Sequence, residues 1–473
     1  MNSLHVFDVL QVVMTAAPAA EGSGEKAVLP MVVLGSIMLV TYALIAFEVL
    51  HKSLAAMLGA IVAIIAALAF GLFNAPAGST RPFDHVHEII GHEVGIIGVL
   101  VGTSILVDVA SRSGLFHFVA VKIVKQTGGD APKLFFFITV LAVLFVTFLT
   151  IAPGTLIVVS LALVVTKSLD IDPKPYVMAV AIAANSGALM TLASGICTLM
   201  LATASGLPYV SFFRVTTPMA LLSAAIAYFV LRRFYGHLLV SKGTAEERAG
   251  VVASFDEWAL VKDRRVFYRS AAILVLTIVG FALAGTFHVG LDFIAMCGGM
   301  MALFFSGNDP EDAIKMVKWP VILFFVGLFI VIGAVEASGL LTALAGGLIS
   351  LSGGNQTTAM LVIAVFALVT SGVVDNIPIA ATLIPVVRTL QAQGIEPDPV
   401  WWALIMAANL GGNSTPVGSV SSVIALSALE KERKVKVGWG EFLKVGGLVT
   451  GLQGVVVLLY LLAFDKLNLF PTR

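Results

Sequence analysis

The 473-residue chain is 59% hydrophobic and only 12% charged, with 28 basic against 28 acidic residues and a mean hydropathy of +1.01. A soluble domain carries roughly 25% charged residues, so this chain can bury its surface only in lipid, and its zero net charge argues against nucleic acid as a partner. The two cysteines, Cys197 and Cys297, stand far apart in apolar surroundings and supply neither a disulfide framework nor metal-ligand spacing.

In chain order, residues 1–26 are an N-terminal segment whose apolar run at 4–20 reads either as a cleaved signal peptide or as an extra helix. A first half spans 27–232, a basic linker 233–267, a second half 268–464 and a short tail 465–473. Apolar runs measured against the ~20 residues that cross a hydrocarbon core predict full crossings near 27–47, 53–73, 94–111, 175–204, 212–232, 268–287, 289–306, 320–337, 399–428 and 442–464. Two regions differ: 134–149 and 155–168 are arms parted by Thr150-Ile-Ala-Pro-Gly154, and 358–374 and 379–392 are arms parted by Val374-Asp-Asn-Ile-Pro378. A proline beside polar or glycine residues in mid-run breaks a helix, so these short arms predict re-entrant hairpins.

The crossings at 175–204 and 399–428 are too long and are interrupted near their middles by Asn, Gly, Ser and Thr. Freed backbone groups at that depth are tolerated only where they line a polar cavity, so both predict helices unwound at the midplane. Residues 171–195 and 395–419 are copies of one element, matching at Ile171/Ile395, Pro173/Pro397, Pro175/Pro399, Asn185/Asn409, Gly187/Gly411 and Thr191/Thr415. The match extends to Val101-Gly102 with Val326-Gly327, to Ser113-Gly114-Leu115 with Ser338-Gly339-Leu340, and to Pro153 with Pro378. The segments 115–127 and 340–352 after those Ser-Gly-Leu turns are too short to cross and are expected at the interface.

The expected fold is therefore an all-α polytopic membrane protein of about ten transmembrane helices plus two re-entrant hairpins, with two midplane-broken helices. Five crossings per half is odd, so the second copy enters the membrane upside down, as an inverted repeat. The positive-inside rule agrees: with 233–267 cytoplasmic, the connections holding Lys52, Lys122, Lys125, Lys167, Lys315, Lys318 and Lys431 fall on the same side, and 205–211, 338–357 and 393–398 hold no Lys or Arg.

An unpaired charge deep in the bilayer costs at least ~2.5–3.5 kcal/mol, so Asp375 is expected to be protonated or paired with a cation, which makes it the natural coupling residue. It could also cap the second hairpin arm. Around it Thr150, Asn185, Ser186, Thr191, Ser194, Asn376, Asn409, Asn413, Ser414, Thr415 and Ser419 supply neutral donors and acceptors where half-helix ends meet. No Lys or Arg falls in these breaks. His85, His87 and His92 lie in an external stretch with Asp84, Glu88 and Glu93, read as a solvated loop rather than a metal site.

Val373-Val-Asp-Asn-Ile-Pro-Ile-Ala-Ala-Thr-Leu-Ile-Pro385, Asn409-Leu-Gly-Gly-Asn-Ser-Thr-Pro-Val-Gly418 and Trp439-Gly-Glu-Phe-Leu-Lys444 resemble the ion transporter superfamily. The resemblance is closest to the branch of arsenite permeases and D-type sodium/proton antiporters, which also holds the melanosomal P protein and citrate-transporter-like domains. It implies the fold, transport and a homodimer. The first hairpin of that family usually carries an Asp-Asn pair where this chain has Thr150-Ile151.

These observations predict a secondary active transporter rather than an enzyme, multi-pass in a bacterial inner membrane. Protonation of Asp375 would drive a small inorganic ion or solute, with arsenite-like efflux favoured. Two other readings stand: a sodium/proton antiporter, and a transport-inactive assembly or regulatory protein. The coupling ion is H+ or Na+, and no cofactor or metal is expected. No P-loop appears, so primary energisation would need another subunit.

Overall fold

The computed structural model describes residues 24–47, 49–73, 83–92, 94–191, 195–307, 311, 315 and 317–471. The run at 4–20 and the candidate Ser194 lie outside the described residues. Among the described residues there are twenty α-helices and no strand, as expected where only intra-helical bonds satisfy the backbone in lipid.

The first half contains α1 (Gly24–Ala46), α2 (Lys52–Ala69), α3 (Asp84–His92), α4 (Val94–Arg112), α5 (Leu115–Lys125), α6 (Ala131–Phe148), α7 (Ile151–Ser168), α8 (Lys174–Met190), α9 (Ile196–Ser205) and α10 (Tyr209–Tyr235). After a linker helix, α11 (Ala245–Ala253), come α12 (Arg264–Phe287), α13 (Leu291–Ser306), α14 (Trp319–Ala337), α15 (Leu340–Ser352), α16 (Gln356–Ser371), α17 (Asn376–Ala392), α18 (Pro397–Gly411), α19 (Val420–Arg433) and α20 (Trp439–Lys466). Nine described helices are long and apolar enough to cross a membrane.

Those nine differ from the ten crossings expected. They include both arms of the first hairpin, α6 and α7, and leave out α13, which is 16 residues long. The arms are longer than the sequence suggested because proline does not end them. Pro153 and Pro378 sit in the first turn of α7 and α17, which begin at Ile151 and Asn376, where a missing N–H costs nothing. The two long crossings do break, α8 from α9 and α18 from α19. The histidine stretch is a helix, α3, and not a loop, with His85 beside Glu88 at 3.4 Å and His87 beside Asp84 at 3.5 Å. Both pairs are three residues apart, the spacing at which side chains meet across one helical turn.

The duplicated sequence makes duplicated contacts. Gly102 of α4 brings its backbone against α13, where an added Cβ would stand 2.2 Å from the Ala295 carbonyl carbon; Gly327 of α14 does the same to α2, at 2.6 Å from that of Ala56. Small residues at such crossings let helices approach closely enough for dispersion to hold them in lipid. On α2 the buried stripe is Ser53, Ala56, Gly59, Ala60, Ala63 and Ala67, while Leu54, Leu58, Ile61 and Ile65 face outward. Glycine is needed a second time at Gly114 and Gly339, whose φ of +84° and +82° turn the chain into α5 and α15. The first hairpin arms start alike, with the Asp130 carboxylate accepting from the Lys133 N–H and the Asn355 side-chain oxygen from the Thr358 N–H, both at 3.0 Å.

At the centre, α8 and α18 are buried on all sides, the signature of a helix with no solvent or lipid face. Each packs along a hairpin arm through the matched glycine: a Cβ on Gly187 would meet the Val143 carbonyl oxygen at 2.4 Å, and one on Gly411 that of Leu368 at 2.3 Å. The linker is fastened to the first half by ion pairs, Lys242 with Asp170 at 2.7 Å and Lys125 with Glu257.

Candidate functional site

Both hairpin tips and both helix breaks converge on one cavity of about 610 Å³. Its walls include Thr150, Ile151 and Ala152 at the start of α7, Ile196 and Cys197 at the start of α9, Asp375, Asn376 and Ile377 at the start of α17, and Val420 at the start of α19. The remaining wall is made by the beginnings of α2 (His51, Lys52, Ser53) and α14 (Lys318, Pro320, Val321, Ile322), with Leu100 and Ser104 of α4. Six helices thus present their N-terminal turns to one space. Unpaired N–H groups and the macrodipole make each such end a favourable place for negative charge.

The charged side chains add to that field. Asp375, 4% exposed, accepts from Lys52 Nζ at 2.7 Å through Oδ2. Its Oδ1 is buried without a hydrogen-bond partner. Asp375 occupies the N-cap position of α17 but makes no side-chain capping bond, so the capping role open to it from sequence is not the one it plays. The lysine that reaches it is the first residue of α2. A Lys52 stem of four methylenes can lie along apolar walls while its ammonium reaches inward. Lys318 lines the same cavity, so its described lining residues include two lysines and one carboxylate.

Of the twelve candidate residues, the cavity walls include Thr150, Asp375 and Asn376. Behind them lies a buried polar chain joining the two halves. Asn185 Nδ2 donates to Asn413 Oδ1 at 2.8 Å, Asn413 Nδ2 to Gln453 Oε1 at 3.0 Å, and Gln453 Nε2 to Ser223 Oγ at 2.6 Å, with Ser186 Oγ 2.9 Å from Ser223 Oγ. Asn409 Nδ2 donates to Thr198 Oγ1 at 3.0 Å, across the halves again. The matched amide oxygens Asn185 Oδ1 and Asn409 Oδ1 are both buried without partners.

The other candidates hold the backbone. Thr191 Oγ1 donates to the Thr147 carbonyl at 3.3 Å and its copy Thr415 Oγ1 to the Gly372 carbonyl at 2.8 Å, each tying a helix break to the end of a first hairpin arm. Ser414 Oγ donates to the Gly411 carbonyl at 2.9 Å, and Ser419 Oγ accepts from the Ser422 N–H at 3.3 Å to cap α19. Lys52, Lys318, Gln453 and Ser223 were not among the sequence candidates. Lys52 and Lys318 signalled only the sidedness of loops, and Gln453 is one polar residue in an apolar run.

Asp108 pairs with Arg112 at 2.5 Å, one turn away. Glu336 faces a separate cavity of about 580 Å³ with His85, Glu88 and Arg388. No cluster of three metal-ligating side chains occurs among the described residues.

A profile of the family described as CitMHS, citrate transporter, matches residues 42–407. An uncharacterized transporter of Mycobacterium tuberculosis is 29% identical over 434 residues, covering 91% of this chain and 97% of its own. The human P protein is 25% identical over 503 residues, 89% of this chain and 58% of its own. Among solved structures, the YdaH transporter of Alcanivorax borkumensis superposes with a TM-score of 0.63 over 89% of this chain and 99% of its own, at 14% identity, which is a likeness of fold. The chain belongs to the citrate transporter family, and it is a multi-pass membrane transporter.

Proposed function

Starting from that membership, we propose that the chain is a proton-coupled secondary transporter of a small anion in a bacterial inner membrane, with Asp375 as the proton carrier. The observation that carries this reading is the charge of the cavity. Among the described lining residues, six helix N-termini and two lysines surround a single carboxylate, an arrangement that favours a negatively charged solute. The volume of about 610 Å³ lies within the range of pockets that take organic molecules. A citrate-like carboxylate or a compact oxyanion fits this chemistry, whereas a neutral metalloid hydroxide gains little from such a field. Sodium/proton exchange draws less support, since a cation entering here meets Lys52 and Lys318.

In this reading the halves form an inverted repeat. The hairpins and broken helices move as one body against a scaffold of α1, α2, α4, α12, α13 and α14, within a homodimer. The repeated glycine crossings and hairpin caps support the duplication. The cytoplasmic assignment of the Lys52 and Lys318 connections supports a cavity open to the cytoplasm.

The test is flux into proteoliposomes of labelled citrate, succinate, sulfate, arsenite and sodium, with and without a pH gradient. Citrate, succinate or sulfate uptake that a pH gradient accelerates is expected, with the acceleration lost in Asp375→Asn. Sodium flux without anion flux would replace this reading with antiport, and no flux of any solute would replace it with the transport-inactive reading.

A further inference from the structure

Away from the central site, α6 and α10 flank a groove of about 430 Å³ on the outer surface of the first half. α6 lines it with Phe136, Val140, Leu144 and Phe148, spaced four residues apart, and α10 with Ala224, Ala225 and Tyr228. The two alanines give the groove its depth, because only methyl groups project from α10 there. The duplication supplies an internal control. In the second half the matching helices are α16 and α20, and there Leu368, the match of Val143, packs on Gly454 so closely that an added Cβ would stand 2.5 Å from its Cδ2. The same crossing is thus filled by a side chain in one copy and open in the other, where Val143 lines the groove. We infer that the groove binds one acyl chain of an anionic phospholipid of the cytoplasmic leaflet, with its headgroup on Arg232 and Lys133 and its chain end against Phe148 and Met190. The site does not depend on which solute is carried.

Length, wall chemistry and charge each fit that occupant. From Phe136 to Phe148 the helix rises about 18 Å, close to the ~15 Å that one leaflet contributes to a hydrocarbon core. The walls are hydrocarbon, since the Thr139 and Thr147 hydroxyls donate within their own helix to the Phe135 and Val143 carbonyls, both at 2.8 Å. Positive charge stands at one end. α6 begins where α10 ends, with the Ala131 N–H donating to Ser241 Oγ at 2.8 Å, and at that end Lys133 and Arg232 are exposed. Arg232 is held at the groove mouth: its Nη1 donates to Tyr228 Oη at 2.9 Å, and its guanidinium lies 5.8 Å from the centre of that ring. The acid beside them, Asp130, caps α6 by accepting from the Lys133 N–H at 3.0 Å. The positive-inside pattern puts this end in the cytoplasm, where anionic lipids attract basic residues.

The other end of the groove reaches the first helix break. Thr147 Oγ1 lies 3.2 Å from Met190 Sδ, and these two residues with Phe148 also wall a smaller cavity of about 190 Å³ that extends to Thr150. Thr150 in turn lines the central cavity. A chain end seated here packs on the last turn of α6 and the last residue of α8, the two segments that the Thr191 hydroxyl ties together at the Thr147 carbonyl. The lipid thereby braces the first hairpin at its tip, a role that Leu368 on Gly454 performs from within the second half.

The experiment is photolabelling of the full-length protein in phosphatidylcholine vesicles that contain a trace of phosphatidylglycerol with a diazirine at the end of one acyl chain, the labelled residues being mapped by peptide mass spectrometry. Label should concentrate on residues 144–148 and Met190, above the level on Ile61 and Ile65, which are exposed on α2. Unlabelled phosphatidylglycerol should compete at least tenfold better than added phosphatidylcholine, and Arg232→Gln should lower groove labelling about fivefold, with Lys133→Gln/Arg232→Gln lowering it further. Arg232→Lys should restore it. Ala225→Phe places a ring in the groove from an exposed position and should remove groove labelling while leaving label on Ile61 and Ile65 unchanged.

Groove labelling no stronger than that of Ile61 and Ile65 would overturn the inference, as would undiminished labelling in Ala225→Phe. Equal competition by the two lipids, or labelling that Lys133→Gln/Arg232→Gln leaves unchanged, would overturn it by removing the anionic headgroup. A second copy of the chain covering this face would give no groove labelling in the wild type and disulfide-linked dimers through Ala225→Cys, and that result would overturn it too. None of these outcomes touches the reading of the central cavity, which liposome flux tests separately.

Discussion

Gly102 and Gly327 provide the sharpest test of how the scaffold is held. A Cβ at Gly102 would stand 2.2 Å from the carbonyl carbon of Ala295, 2.3 Å from its oxygen and 2.5 Å from Met296 N; at Gly327 the corresponding approaches to Ala56 and Met57 are 2.6, 2.7 and 2.8 Å. Every obstructing atom is backbone, so no rotamer change relieves the clash. Ordinary contact begins at 3.4 Å, and α4 must therefore part from α13 by about 1.2 Å and α14 from α2 by about 0.8 Å, displacements in the range that overpacking penalties of about 1–3 kcal/mol describe. Alanine returns about 1 kcal/mol of helix propensity. The net expectation is a loss of about 2 kcal/mol for Gly102→Ala and about 1 kcal/mol for Gly327→Ala. Gly346→Ala, in α15 with nothing within 4 Å of the added carbon, should gain up to about 1 kcal/mol. Thermal unfolding of the three detergent-solubilised variants, followed by near-UV circular dichroism, orders them. If Gly102→Ala melts with Gly346→Ala, close backbone approach is not what these glycines provide. Gly327→Ala should also slow transport, because α2 and α14 carry the two lysines of the cavity.

Further outcomes follow from the clamps and the linker. Thr415→Val removes a 2.8 Å hydrogen bond to the Gly372 carbonyl and should cost about 1 kcal/mol, with Thr191→Val, whose bond is 3.3 Å long, costing less; equal melting of both variants and the wild type would show that the hydroxyls do not fasten the hairpins. The ammonium of Lys125 holds the Glu257 carboxyl below its ordinary 4.5. The folded value is depressed, so this pair stabilises the protein above pH 4.5 and the contribution disappears as pH falls through the lower, folded value. The melting difference between wild type and Glu257→Gln should therefore be present at pH 7 and close below pH 4.5; a difference that grows on acidification would contradict the assignment. A reporter fused near Lys242 should read cytoplasmic and one near Gly353 external, and both on one side would sink the inverted arrangement.

Much of the architecture is written in local signals. Hydropathy, the two proline-bearing breaks and the copied Asn-x-Gly elements locate the hairpins and the divided helices, because each depends on residues within one turn of each other. Arm lengths were misjudged at Pro153 and Pro378, where proline begins a helix as readily as it ends one. The site is less legible. Asp375 is visible as a carboxylate in an apolar run, but Lys52 is 323 residues away and nothing local distinguishes it from a loop lysine that marks sidedness. Asn185, Asn413 and Thr415 are polar residues in the right breaks, yet whether such a side chain faces a cavity or a carbonyl depends on the facing helix. The Gly-Gly-Asp and Gly-Gly-Asn sequences at 128–130 and 353–355 were a usable sign of the duplicated hairpin caps, since both glycine pairs take positive φ.

The hydrogen bond from Asn185 to Asn413 has a consequence in time. Its partners are 228 residues apart, and at the ~5–20 residues per second of synthesis the first amide waits on the order of 10–45 s for the second to leave the ribosome. Throughout that interval the nascent first half holds a desolvated amide with no mate, and the α8 face that will pack against α18 has no cover. The half-protein is thus a natural client for membrane insertion and folding factors. Residues 1–267 expressed alone should be rapidly degraded, and co-expression with residues 268–473 should restore them; a stable, protease-resistant first half would show that it settles its polar core unaided.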